Sequence, residues 1–166
     1  MGFEITPITQ EQAMGYLRAT GEREVFIFVG LVGLTTTCYQ CGRQGVAVPG
    51  VVVERAAARE FFGLDDDIFL DFEPLGEALR KSLDPVWMRE HFVGPFKVRT
   101  SRQRPEGYMS NGCHSCDAIV GSHPLHEAVA KIDPERLPEF VVRQVSLPLP
   151  ALREAVESGT VRRGWW

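Results

Sequence analysis

The chain has 166 residues, a formal net charge of −4 and 44% hydrophobic residues, which is typical of a globular protein of one ordinary domain. The acidic balance argues against a protein whose main activity is non-specific binding to phosphate backbones, although it leaves room for a local basic patch. No apolar run reaches the roughly 20 residues of a membrane-spanning helix, and the first residues, MGFEITPITQEQ, lack the pattern of a secretory signal. We therefore expect a soluble, cytoplasmic protein.

The first third of the chain predicts one helix and two strands. Apolar residues recur at helical spacing over 9–20. Residues 25–34 predict a buried strand, and residues 45–55 predict a second strand that Pro49 and Gly50 interrupt. Because proline cannot donate to the ladder of a central strand, we expect this second strand to be bulged or to lie at an edge.

The remainder mixes short helices and strands without regular alternation. We predict a helical insertion around 55–93, in which Asp84 caps the piece that Pro85 begins. A hairpin over 96–112, a helix over 123–132 preceded by Ser122, a strand over 139–147 and a short helix over 150–158 follow. The predicted fold class is α+β, an antiparallel sheet with short helices in a single domain over 1–166.

All four cysteines fall into two C-x-x-C pairs, Cys38 with Cys41 and Cys113 with Cys116. In a reducing compartment such pairs favour metal over disulfides, and four thiolates suit a closed, structural Zn²⁺ site. The pairs are much farther apart than the 15–20 residues of a compact zinc ribbon. A shared zinc-ribbon-like site would therefore join two distant segments, 34–46 and 96–122. Two separate redox pairs remain an alternative, although neither pair lies in a thioredoxin-like context.

The stretch around the second pair, SNGCHSCDAIVGSHPLHE, resembles a zinc-ribbon pattern of uncharacterised bacterial zinc-binding proteins. The positions that match the pattern are Asn111, Cys113, Cys116, Ala118, Gly121 and Leu125. The positions that depart from it are His114, Ser115, Asp117, Ser122 and His123. The resemblance is limited to the cysteine knuckles, and it implies a bacterial metal-binding protein without an assigned activity.

Three polar residues close to the second pair suggest a rival interpretation. His123, His126 and Glu127 lie at the start of a predicted helix and would suit a second, catalytic metal in a metal-dependent hydrolase. An exposed histidine pair more often has no such role, and the spacing is not that of the His-Glu-x-x-His motif. His114, inside the second pair, is expected to point to solvent.

The predicted hairpin carries a local basic feature. The residues that would contact nucleic acid or a partner there are Lys97, Arg99, Arg102, Arg104 and Tyr108. Phe96 and Val98 alternate with Lys97 and Arg99, so we expect the cations to project from one face, with Tyr108 as a stacking surface. The alternative is a polar sheet face that only keeps an edge soluble.

The sequence therefore favours a structural zinc protein, with one Zn²⁺ and no catalytic role for it, that serves as a binding or adaptor module. We expect a protein partner. A zinc-ribbon protein that binds nucleic acid through 97–104 and a hydrolase are the rival functions. The terminal Trp165 and Trp166 would either dock on the body of the protein or bind a partner. The sequence leaves the oligomeric state open.

Overall fold

The computed structural model describes residues 25–158 and 161–162. The predicted helix over 9–20 and the terminal Trp165 and Trp166 lie outside the described residues.

Seven strands within these described residues form two antiparallel sheets. They are β1 (Phe26–Thr37), β2 (Gln44–Val53), β3 (Ile68–Asp71), β4 (Phe96–Arg99), β5 (Tyr108–Asn111), β6 (Val141–Pro148) and β7 (Val161–Arg162). The larger sheet has the order β6-β1-β2-β3-β7, and β4 pairs with β5 in a separate hairpin. The expected antiparallel sheet with short helices is thus confirmed, and the fold class is α+β.

Short helices connect the strands. They are α1 (Arg55–Phe62), α2 (Gly76–Ser82), α3 (Pro85–Glu90), α4 (Ser122–Ala130) and α5 (Leu149–Glu157), with 3-10 helices at Glu73–Leu75 and Pro134–Phe140. The Asp84 carboxylate accepts a hydrogen bond from the Val86 N–H at 2.9 Å, so this residue caps α3 as its position before Pro85 predicts. The segment 55–93 contains α1, α2 and α3, but also strand β3.

Apolar side chains cover both faces of the larger sheet. One face packs against α1, α2, α3 and α5 and forms the main core. The opposite face carries a smaller cluster made by Val32, Val52, Phe69, Val129 and Leu137. Because neighbouring residues of a strand point to opposite faces, burial on both sides explains the nearly continuous apolar run of β2.

Strand β2 lies inside the sheet, between β1 and β3, so the expectation of an edge strand is wrong while that of a bulge is correct. The pairing with β1 shifts between Val32 and Leu34, and Pro49 falls in the unpaired stretch of β2 opposite. The missing N–H of Pro49 therefore leaves no gap in the ladder. Its carbonyl accepts the Phe72 N–H at 3.0 Å.

The bulge separates the body of the sheet from a projecting two-stranded ribbon. Strand β6 pairs with β1 only as far as Val32, whereas β1 continues to Thr37. Residues 34–37 of β1 and 44–47 of β2 pair with each other beyond that point, and we call these eight residues the arm. The arm ends in the first cysteine pair, which places that pair away from the core.

Candidate metal centre

Four cysteine sulfurs meet between the arm and the β4–β5 hairpin. All four Sγ atoms lie within 4.8 Å of one another. Cys38 Sγ is 3.6 Å from Cys116 Sγ, and Cys41 Sγ is 3.7 Å from Cys113 Sγ. A disulfide needs about 2.05 Å, whereas Zn–S bonds of about 2.3 Å in a tetrahedron separate the sulfurs by about 3.8 Å. The two segments predicted to share one site do so, with a spacing that fits a tetrahedral metal.

Each cysteine pair forms the same local structure, a tight turn with two backbone hydrogen bonds. In both, the N–H of the first cysteine donates to a carbonyl five residues onward, at 2.9 Å from Cys38 to Arg43 and 2.8 Å from Cys113 to Ala118. The N–H four residues onward donates back to the carbonyl of that cysteine, at 2.9 Å in both turns. These two turns are called the first and second knuckle below.

The residue after each knuckle adopts a left-handed backbone. Gly42 has φ 71° and Asp117 has φ 60°. Glycine takes this conformation without strain, and aspartate tolerates it at a modest cost. The Asp117 carboxylate accepts hydrogen bonds from both Lys97 Nζ and Arg99 Nη2. These ion pairs give the side chain at this position a role that glycine could not fill.

Arg99 is a buried support for the second knuckle. Its side chain is only 6% exposed, and its guanidinium also donates to the carbonyls of Ser110 and, at 3.1 Å, Pro95. A Cβ at Gly112 would collide with the Arg99 guanidinium, so the close approach requires glycine at that position. Arg99 therefore does not project from the hairpin, contrary to the expected alternation, while Val98 is exposed.

Replacing Asp117 with asparagine tests this support. Asparagine keeps the shape and tolerates the left-handed backbone, but it removes the charge that faces Arg99. We expect a loss of about 1–2 kcal/mol in the free energy of unfolding, because a buried guanidinium is left without its counter-ion. The loss is smaller than for a fully buried ion pair, because the Asp117 carboxylate is partly exposed to solvent.

The matched control for Asp117→Asn is Lys97→Met, which removes only the exposed partner of the same carboxylate. The control should change stability by less than about 0.5 kcal/mol. Urea denaturation of the two variants provides the comparison, and equal losses would contradict the special role of Arg99.

The thiols of the site have opposing pKa shifts. Backbone N–H groups, first that of Cys41 and then that of Gln40, lower the pKa of the Cys38 thiol to about 6. Cys116 accepts the Ala118 N–H, which lowers its pKa, but desolvation and the neighbouring cysteine sulfurs together raise it to about 12. At neutral pH and without a cation, the Cys116 thiol therefore stays protonated beside an ionised Cys38. A divalent metal would remove the conflict, because it stabilises every thiolate it binds.

Within residues 25–158 and 161–162, the four cysteines are the one group of three or more potential metal ligands whose ligand atoms converge. His123, His126 and Glu127 do not form such a group. His123 Nδ1 lies 3.9 Å from Glu127 Oε1, whereas His126 Nε2 faces Asp71 Oδ1 at 3.6 Å. The two histidines thus face different carboxylates, His123 that of Glu127 and His126 that of Asp71.

His114 does not point to solvent as expected. It is half-buried, and its ring packs edge-on against Phe92 with a centroid distance of 5.2 Å. The knuckle turns this side chain inward, toward Gly45 at the end of the arm beside the first knuckle. His114 therefore forms part of the contact between the second knuckle and the arm.

Most charges of the basic hairpin are paired. Lys97 and Arg99 face Asp117, as described above, and Arg104 binds Glu73 at 2.9 Å through Nη1. The Arg104 guanidinium also lies 4.9 Å from the ring centroid of Tyr108, a ring that is itself buried. Arg102 is exposed. The hairpin thus presents far less free positive charge and aromatic surface than its sequence indicates.

Sequence reasoning missed the part played by Asn111, which attaches the hairpin to the sheet. Its Oδ1 accepts the Val48 N–H at 3.0 Å, and its Nδ2 donates to the Val46 carbonyl at 2.9 Å. The side-chain amide thus completes the edge of β2 as a neighbouring strand would. Phe92 extends this cover, because its carbonyl accepts the Val46 N–H at 2.9 Å. The only available signal was the place of Asn111 just before a cysteine pair.

The structure defines a four-cysteine cluster, built from two knuckles, that could hold a metal ion. A search of protein-family models finds no match to the chain, and searches of curated proteins and of solved structures find no similar one. Among the described residues, no helix has the length and apolar character needed to span a membrane.

Proposed function

We propose that this chain binds one structural Zn²⁺ through Cys38, Cys41, Cys113 and Cys116, and that it acts as a protein-binding module. The observation that supports the metal is the spacing of the sulfurs, 3.6 and 3.7 Å across the two knuckles. Four thiolates leave no open position for a substrate or a water, so the metal would hold the arm and the hairpin together.

Metal content and ligand identity are tested together. Elemental analysis and native mass spectrometry of the purified chain should give one zinc per molecule, and Co²⁺ substitution should give the absorption of a tetrahedral tetrathiolate. The double variant His123→Ala, His126→Ala should keep that single zinc. A metal-free wild type would overturn the site, and a second zinc that the double variant loses would support the hydrolase instead.

The proposed surface for a protein partner is the mouth of a cavity beside the knuckles. The cavity has a volume of about 200 Å³, and its lining includes Val46, Ile119 and Val120. Two exposed aromatic residues flank it, Tyr39 in the first knuckle at 77% exposure and Phe92 at 56%. Aromatic side chains around an apolar pocket are the usual anchors of protein interfaces.

The backbone of Phe92 adds to this argument. Its φ of 58° lies in the left-handed region, which bulky side chains rarely adopt. Such a residue costs about 1–3 kcal/mol, and an exposed ring recovers little of that cost by burial. Strained residues of this kind concentrate at binding sites, which favours a role for Phe92 outside the stability of the monomer.

Phe92→Asn separates binding from stability. Asparagine tolerates the left-handed backbone, so zinc content should be unchanged and the free energy of unfolding should change by less than about 1 kcal/mol. Site-specific photo-crosslinking from Tyr39 in cells should capture a protein, and Phe92→Asn should lower the yield about tenfold, the loss of one anchor.

Phe28→Asn is the control, because Phe28 is the same residue type and is even more exposed, at 73%, but lies outside the cavity lining. If both variants lower the crosslinking yield equally, or if Tyr39 captures no more than a probe at the exposed Glu60 of α1, the proposed surface is wrong.

A further inference from the structure

The two strands of the arm have outer edges of different kinds. The edge of β2 is covered, since Asn111 and the Phe92 carbonyl satisfy the backbone groups of Val46 and Val48. The edge of β1 beyond Val32 has no paired strand in the part of the chain that the structure describes. Among the described residues, one side of the arm is therefore covered and residues 33–37 on the other side have no partner strand.

The open edge lacks the usual protection against strand pairing. Its sequence, Gly-Leu-Thr-Thr-Thr over 33–37, contains neither a charge nor a proline, the two features that most often block an edge. Thr35 and Thr37 are exposed. Threonine also favours strands, and the knuckle that begins at Cys38 would hold the end of the edge in place once metal is bound.

We infer that this edge pairs with the same edge of a second copy of the chain, so that the two larger sheets become continuous across a two-fold axis. A two-fold axis perpendicular to the sheet requires antiparallel pairing of the same segment with itself. The register that uses all of residues 33–37 places Thr35 opposite Thr35 of the partner subunit. This inference goes beyond the proposed protein-binding surface and does not depend on it.

The chemistry of the edge suits a copy of itself. In this register Thr35 faces its own copy, while residues 33 and 34 face residues 37 and 36 of the second copy, so an edge without charges pairs without repulsion, and cross-strand threonine pairs are favourable. Beside Gly33 lies Val142, which is 41% exposed and is the bulged residue of β6. An exposed apolar side chain at the start of the edge gives the second copy a contact beyond the ladder.

Thr35→Lys tests the pairing, because it places two like charges directly opposite at the axis. In sedimentation velocity of the zinc-loaded full chain, the wild type should show a concentration-dependent dimer. Thr35→Lys should raise its dissociation constant at least about tenfold, the usual scale for an unfavourable charge pair. The control Thr100→Lys adds the same charge at an exposed threonine of the β4–β5 loop and should leave it unchanged.

Hydrogen exchange provides a second measurement that needs no variant. Backbone amides within residues 33–37 should become more protected as the protein concentration rises, while the protection of α1 stays constant. A monomer at every concentration up to millimolar overturns the inference. A dimer that Thr35→Lys and Thr100→Lys affect equally, without concentration-dependent protection of the edge, overturns it as well.

Discussion

Replacing Cys113 with serine is expected to abolish stoichiometric zinc binding and to lower the melting temperature by about 10 °C. A metal whose free concentration is a thousand times its dissociation constant stabilises the folded protein by about 4 kcal/mol. Each kcal/mol of stability shifts the melting temperature of a chain of this size by about 2–4 °C. Cys113 is the buried ligand of the four, so a hydroxyl in its place leaves the remaining three thiolates without a closed tetrahedron.

The loss should be local rather than global. The main core is formed by the larger sheet, the helices α1, α2, α3 and α5, and the neighbouring Val93 and Phe96, and it contains none of the four cysteines. Hydrogen exchange of Cys113→Ser should therefore show lost protection in the arm and in residues 110–119, with residual protection in β3 and β6. A cooperative loss over the whole sheet would show that the metal site is part of the core unit.

Ser115→Ala is the matched control for Cys113→Ser. Ser115 lies within the second knuckle but offers no sulfur, and its hydroxyl accepts a hydrogen bond only from exposed Arg43. It should retain one zinc per chain and nearly the wild-type melting temperature. Retention of a full zinc equivalent by Cys113→Ser, measured by elemental analysis, would contradict the four-thiolate site.

Replacing Asn111 with alanine should destabilise the protein by about 2–4 kcal/mol. The change leaves the Val48 N–H and the Val46 carbonyl without partners at a buried position, and each unsatisfied buried group costs about 1–3 kcal/mol. Asn111→Asp should be at least as harmful, because the oxygen that replaces Nδ2 would face the Val46 carbonyl and bury a negative charge.

Chemical denaturation monitored by circular dichroism measures both Asn111 variants. Gln103→Ala, which removes an exposed side-chain amide from the β4–β5 loop, is the control and should change stability by less than about 0.5 kcal/mol. If Asn111→Asp is as stable as the wild type, the amide does not serve as the link between the hairpin and the sheet.

The cysteine pairs were predictable from sequence because a knuckle is a local structure. C-x-x-C fixes two sulfurs within one turn, and Gly42 signals the left-handed residue that closes it. The α+β class and the Asp84 cap of α3 depend equally on short-range patterns. The sequence also indicated that the two pairs would share one site, since four thiols in two pairs match the coordination number of a single tetrahedral zinc.

The residues around the metal were not predictable in the same way, because their roles depend on contacts between distant segments. Arg99 was expected on an exposed face, but a carboxylate 18 positions onward, at Asp117, covers it. Asn111 binds strand β2 more than 60 positions upstream. Pro49 suggested a bulged or an edge strand, and only the pairing of β2 with β1 and β3 shows that the bulge places its missing donor where no partner is needed.

The difference between Gly42 and Asp117 also bears on how the two halves of the metal centre could be moved between proteins. The first knuckle closes with a glycine whose side-chain position is open: apart from its chain neighbours, no heavy atom of the described residues lies within 4 Å of where a Cβ of Gly42 would be. The first knuckle could therefore be transferred to the end of another two-stranded ribbon without a supporting side chain at the glycine. The second knuckle closes with Asp117, whose carboxylate pairs with Arg99 and Lys97. Transferring this knuckle to another protein would require transferring both cationic residues as well.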